Sequence, residues 1–305
     1  MNTTTLSVPH SRNGKQSNIP IVIDYLDDKK KSDTAIVLTH GASGDYSTGY
    51  LPLLARVLAE RGYTVVRCTL VTTVINVRIN AMKAVLAYLF NDQEEKAVDP
   101  AVATLRSSTS RVYIGGHSFG ARVIVSIGDE LKDDTESPNA KKSAGSNVKS
   151  DNSASVDEAF KNKIHGIITF SYPLHPPGKP SELRDQILFD LPEATKLLMI
   201  SGTKDPFGEL PLMTKTQNKI KCSLTAVRIA KAGHSLSTGK SKKTAKDTGR
   251  TQEETIYYWM AQRIEEWIKK ADEGVPGEKR KRNSQKIFEL IEVAVANDTF
   301  KITRA

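Results

Sequence analysis

Residues 111–125 read Arg-Val-Tyr-Ile-Gly-Gly-His-Ser-Phe-Gly-Ala-Arg-Val-Ile-Val, a strand-like run that passes through a glycine-rich bend into a helical pattern. Strand and helix can approach that closely only where side chains are absent, and Gly116 and Gly120 flank Ser118 in this bend. The pattern Gly116-His117-Ser118-Phe119-Gly120 matches GxSxG, placed after an apolar strand and at the opening of a helix as a nucleophile elbow requires. Such a turn lifts the hydroxyl out at the strand's carboxyl end, facing the unpaired N–H groups of the helix. A structural tight turn with an incidental serine fits the motif equally well, so the choice rests on the rest of the chain.

Around this bend, short β-branched runs alternate with longer helical patterns. Residues 19–26, 34–40, 63–70, 111–116, 163–171, 195–202 and 223–230 read as strands. Helices are expected at 51–61, 76–90, 121–131, near 209 and at 252–270, the last opened by a capping box of Thr251 and Glu254. Near-continuous apolar strands joined through helices imply an α/β fold, a mostly parallel central sheet with helices on both faces.

A 305-residue chain suits one such domain, here bounded at 19–273. Residues 1–18 read as a disordered N-terminus, 132–162 as a low-complexity polar insertion, and 274–305 as a basic linker and tail of unassigned conformation. Residues 219–305 carry 19 Lys and Arg against 11 Asp and Glu, which leaves only one unit of the +9 net charge for the rest of the chain. A nucleic-acid-binding core is therefore not indicated. The run Lys279-Arg280-Lys281-Arg282 suits a nuclear-import signal, an anionic contact or a solvated charge run. Cys68 and Cys222 lack neighbours at metal-ligand spacing, and no apolar run approaches the ~20 residues that span a bilayer. The expectation is an intracellular protein, cytoplasmic or nuclear, without metal or organic cofactor.

A serine hydroxyl needs a base to take its proton, and an acid to orient that base. With the nucleophile on an elbow, both should follow it in loops at strand carboxyl ends, the acid first. His10 is terminal, His40 and His117 flank other motifs, His165 lies in a strand and His175 in a proline-rich loop. His234, directly after the strand ending at Ala230, has the required placement, and Asp205 occupies the preceding strand end. The oxyanion calls for preorganised N–H donors, assigned to Phe119 and to Ala42 in the loop His40-Gly41-Ala42-Ser43-Gly44-Asp45. His40 is expected to brace that loop; together with His117, Tyr172 and His175 it is also a candidate for the substrate pocket, with a structural role for the 172–175 block equally open.

The pieces Leu38-Thr-His-Gly-Ala-Ser-Gly-Asp45, Gly115-Gly-His-Ser-Phe-Gly-Ala-Arg122, Ser171-Tyr-Pro-Leu-His-Pro-Pro-Gly-Lys-Pro180 with the following Leu183-Arg-Asp185, Ile200-Ser-Gly-Thr-Lys-Asp-Pro-Phe-Gly-Glu209 and Ala232-Gly-His-Ser-Leu236 carry a resemblance. Together they resemble the α/β-hydrolase family of testis-expressed protein 30 and the hydrolase-like domain of nonspecific-lethal (NSL) complex subunit 3, relatives of the dienelactone hydrolases. The resemblance spans 36 to about 268 and implies the α/β-hydrolase fold with a triad at Ser118, Asp205 and His234. Ser43 stands where that family tends to have Gly, and neither the 132–162 insertion nor the tail is covered. Two activities follow as expectations. One is a serine hydrolase of esters, thioesters or related acyl bonds acting on a small molecule. The other is a catalytically idle scaffold for protein partners, on the precedent of the complex-bound relative.

Overall fold

The computed structural model describes residues 1–12, 14–27, 32–91, 99–131, 161–239, 249–272, 286–293 and 300–304. Strands β1 (Asn2–Arg12), β2 (Lys15–Tyr25), β3 (Thr34–Thr39), β4 (Thr64–Cys68) and β5 (Arg111–His117) supply one half of a single sheet. Strands β6 (Ile164–Phe170), β7 (Lys196–Gly202), β8 (Ser223–Ile229), β9 (Lys286–Val293) and β10 (Phe300–Arg304) supply the other. Their order is β1-β2-β4-β3-β5-β6-β7-β8-β9-β10. From β4 through β9 every pairing is parallel, while β1–β2, β2–β4 and β9–β10 are antiparallel. The fold is an α/β-hydrolase fold, as the strand–helix alternation and the resemblance imply.

Both faces of the sheet are covered. Helices α1 (Leu51–Glu60) and α7 (Gln252–Asp272) bury Leu54, Leu58, Ile256, Met260 and Ile264 on one face. On the other lie α2 (Ile75–Phe90), α3 (Pro100–Ser108), α4 (Phe119–Asp129), the single turn α5 (Gln186–Phe189) and α6 (Leu210–Lys219). Every residue of β3 is buried, and the two-residue period sends Ile36 and Leu38 to the first face and Ala35 and Val37 to the second. The capping box at α7 forms as expected. Thr251 N–H donates to Glu254 Oε2 at 2.7 Å and Glu254 N–H to Thr251 Oγ1 at 3.1 Å. The hydrophobic pattern does not announce α3; Pro100 in its first turn and Asp99, whose carboxylate accepts from Ala101 N–H at 2.8 Å, start it.

Two boundary expectations are corrected. Residues 1–18 are not disordered: β1 and β2 pair along their whole length, from Asn2 with Tyr25 to Arg12 with Lys15. The polar composition hides the reason. An edge strand needs only one apolar face, and the alternation that leaves Leu6 and Val8 on the core side suffices for β1, with β-branched Thr3, Thr4 and Thr5 favouring extended backbone. At the other end, 286–293 and 300–304 extend the domain's own sheet, with β9 parallel to β8 from Leu224–Lys286 to Ile229–Ile291. Arg263 on α7 ties to the buried Glu289 of β9. Most of the 132–162 insertion and the Lys279–Arg282 cluster lie outside the described residues.

The hairpin is locked by a charge pair. Asp24 of β2 accepts from Arg67 Nε at 3.0 Å and Nη2 at 2.9 Å, both side chains being less than a tenth exposed. Removing one partner of such a pair leaves an uncompensated buried charge. Asp24→Ala should therefore lower the unfolding free energy by about 3–5 kcal/mol, read from urea denaturation.

Candidate active site

The site lies at the carboxyl ends of β3, β5, β7 and β8. At the β5–α4 junction Ser118 has φ 54° and ψ −115°, a strained conformation for a residue with a Cβ. Steric necessity imposes it. A Cβ on Gly116 would stand 2.4 Å from the carbonyl of Gly120, and one on Gly120 would stand 2.4 Å from the carbonyl oxygen of His40. The turn is pinned to the sheet because Ser118 N–H donates to Phe170 O at 2.8 Å.

Ser118 Oγ is 2.7 Å from His234 Nε2, and His234 Nδ1 is 3.0 and 2.9 Å from the two Asp205 carboxylate oxygens. The carboxylate fixes the tautomer: Nδ1–H donates to Asp205, which leaves Nε2 as acceptor for the serine O–H. Asp205 is only 2% exposed, and its Oδ1 also accepts from Phe207 N–H at 2.9 Å. The Phe207 ring packs edge-on against His234, with centroids 4.6 Å apart. Hydroxyl, imidazole and carboxylate thus form one hydrogen-bonded row, assembled from residues as far apart as 116 positions.

A model of the alpha/beta hydrolase domain family matches residues 32–269. The chain belongs to that family. Among solved structures, Est1E from Butyrivibrio proteoclasticus is similar at 12% identity and TM-score 0.57, covering 87% of this chain and 99% of its own. A Pyrococcus furiosus esterase is similar at 14% identity and TM-score 0.55, over 88% and 91% of the two chains. Dienelactone hydrolase from Anabaena variabilis is similar at 12% and 0.53, over 88% and 98%. At these identities the likeness is one of fold.

A cavity of about 400 Å³ opens above Ser118. Among the residues expected at the site, Ala42, Phe119, His40, His117 and His175 line it beside Ser118 and His234. Tyr172 does not. Its side chain is 1% exposed and its hydroxyl donates to Arg184 O at 2.7 Å, so it supports the wall from behind. Of the two interpretations left open for that block, the structural one describes Tyr172, while its neighbour His175 reaches the cavity.

His40 braces the loop of residues 40–45. Its Nε2 accepts from Leu70 N–H at 3.0 Å, which leaves Nδ1–H to face Ser43 O at 3.4 Å. Burial, then the nearby Arg78 charge, hold its pKa below the ordinary histidine value, so it stays neutral. His117 shares a 3.1 Å hydrogen bond with Tyr50 and lies 5.3 Å from the His234 ring. Burial first, and then the positive charge that His234 can carry, push its pKa down to about 4.

Several residues of the site escape the sequence reading, among them Tyr50, Phe207 and Arg78. Tyr50 lines the cavity, and Phe207 touches both Asp205, through its N–H, and His234, through its ring. Arg78 is 1% exposed in α2, with Nη1 donating to Gly41 O at 2.6 Å, Nη2 to Ala42 O at 3.0 Å and Nε to Thr72 O at 2.5 Å. A signal for it did exist. Arg78 precedes Met82, Val85 and Leu89 at helical spacing, a lone arginine on the apolar stripe. Among the described residues no group of three or more His, Cys, Asp or Glu is placed to hold a metal ion.

Two tests follow from this geometry. Gly120→Ala would drive a methyl group into the His40 carbonyl and should cost roughly 3 kcal/mol of stability, measured by chemical denaturation. The depressed His117 pKa makes the folded state bind fewer protons than the unfolded chain below pH 6.5. Stability should therefore fall as pH drops from about 6.5 toward 4, by about 2 kcal/mol from this ring after allowing for its partial exposure. In His117→Gln that part of the slope, read from urea midpoints at several pH values, should vanish.

Proposed function

We propose that the protein is a serine hydrolase of carboxylic esters, thioesters or related acyl bonds. The observation that carries this reading is the continuous row from Ser118 Oγ through His234 to Asp205, with 2.7 Å at its first link and 2.9 Å at its last. Ser118 Oγ attacks the acyl carbon as its proton passes to His234 Nε2, and Asp205 stabilises the imidazolium that forms. The tetrahedral oxyanion is held by the N–H groups of Phe119 and Ala42. As the first residue of α4, Phe119 has its N–H ahead of the intrahelical ladder. His234 returns the proton to the departing alcohol or thiol, leaving an acyl-enzyme. It then takes a proton from water as that water attacks the acyl carbon, and passes it to Ser118 Oγ as the acyl–serine bond breaks, which frees the acid and restores both Ser118 and the neutral ring.

Within the hydrolase family we place the chain beside testis-expressed protein 30 and NSL complex subunit 3, on the Tyr172-Pro-Leu-His175 block and the motifs around the triad. Both cysteines are buried free thiols, which suits a reducing compartment and action inside the cell. The cavity's size fits a small-molecule acyl substrate.

A fluorophosphonate probe tests the reading directly. Wild type should be labelled covalently and Ser118→Ala should not. Turnover of a p-nitrophenyl ester should fall by at least ~10⁴-fold in Ser118→Ala or His234→Ala. Absence of labelling in folded wild type would instead favour the scaffold reading.

A further inference from the structure

Arg78 is a buried cation, and the described residues around it supply no counter-charge. Among the described residues it meets no carboxylate; its guanidinium is satisfied by the carbonyls of Thr72, Gly41 and Ala42. Burying an unpaired charge is costly, and here it pulls the pKa of even an arginine down to about 10. Thr72, which presents one of the three carbonyls, itself sits at φ 83°. Nothing in the packing of α2 demands this arrangement, since an apolar residue would complete the stripe of Met82, Val85 and Leu89.

What the arrangement does is orient peptides. In a trans peptide the N–H points opposite to the preceding C=O. When Arg78 holds the Gly41 carbonyl, the Ala42 N–H must point away from Arg78. Gly41 and Ala42 line the cavity and Arg78 does not, so the donor faces the cavity and the cation stands at the opposite, carbonyl end of the peptide. The same guanidinium lies 5.1 Å from the centroid of the Phe119 ring, on the residue that supplies the other proposed donor. One side chain thus touches both halves of the oxyanion site.

We infer that Arg78 is the positioning residue of the oxyanion hole: it fixes the Gly41–Ala42 peptide with its N–H toward the cavity and adds positive potential behind the developing oxyanion. This rests on the acyl-transfer reading above. Charge that appears only in the transition state is what such a group stabilises, so its effect belongs in kcat rather than in KM.

The test compares Arg78→Met and Arg78→Lys with wild type, counting functional sites by fluorophosphonate labelling so that misfolded protein drops out. For Arg78→Met, kcat per labelled site on a p-nitrophenyl ester should fall ~10²-fold with KM changed less than ~3-fold. The inhibition constant of phenylboronic acid, which becomes a tetrahedral anion on taking the serine oxygen, should rise by a similar factor. Arg78→Lys keeps the charge and donors to carbonyls, and should recover about a tenth or more of the lost rate. Amide hydrogen exchange across residues 40–45 should accelerate in Arg78→Met. Unchanged kcat and boronate affinity per labelled site would overturn the inference, as would a loss confined to the number of labelled sites. Should wild type carry no label, the acyl-transfer reading fails on that arm alone; the exchange measurement still decides whether Arg78 holds the loop, and unchanged exchange overturns it.

Discussion

Backbone meets backbone where β5 turns into α4, and the geometry of the whole site follows from that contact. With no side chain at 116 or 120, the helix can start against the strand it has just left and against the His40 carbonyl of the neighbouring strand end. The space is too small for a relaxed turn, so the strain falls on Ser118, at φ 54° and ψ −115°. That strain is held by the buried parallel sheet on either side, through the Ser118–Phe170 backbone bond and the β3–β5 and β5–β6 ladders. The hydroxyl is raised to meet an imidazole delivered from the end of β8, and Phe119 begins α4 at the same point.

Electrostatically, the site is a low-dielectric pocket with unequal charges. Asp205 is almost fully buried beneath His234, where its interaction with the ring is little diluted by solvent. Burial holds the pKa values of two further imidazoles, His40 and His117, below the ordinary histidine value. Arg78 lies on the far side of the 40–45 loop from the cavity, donating to the Gly41 and Ala42 carbonyls. In the acyl transfer we propose, this puts a carboxylate behind the base and a cation behind the oxyanion, separating charge in the direction the reaction requires.

Ser118, Asp205 and His234 were legible in the sequence because the fold orders them along the chain and sets each at a strand end, so linear position stood in for spatial position. The seven strands and the capping box of α7 were legible from periodicity and turn chemistry. Other features depend on partners that periodicity does not name. Tyr50 reaches His117, 67 residues away, and Arg78 reaches Gly41 from the next helix but one strand removed. The N-terminal hairpin was hidden by its polar composition, since β1 owes its place to backbone pairing and to Leu6 and Val8. Strand β9 was obscured because a basic segment precedes it, although the parallel edge of β8 was available to receive it.

Arg67 bonds outward to Asp24 and also to the carbonyl of Tyr46 at 2.8 Å, while Tyr46 N–H donates to Thr69 Oγ1 at 3.0 Å. Next to it, Asp45 closes a local turn onto Ser47 N–H at 2.7 Å, leading into the Thr48-Gly49-Tyr50 wall of the cavity. The freedom of this wall is thus surrendered once, when the chain folds, and not again each time a molecule enters. An arriving ligand meets a surface already in its working shape, and the N-terminal hairpin, far from the nucleophile in sequence, is one of the members that keep it so.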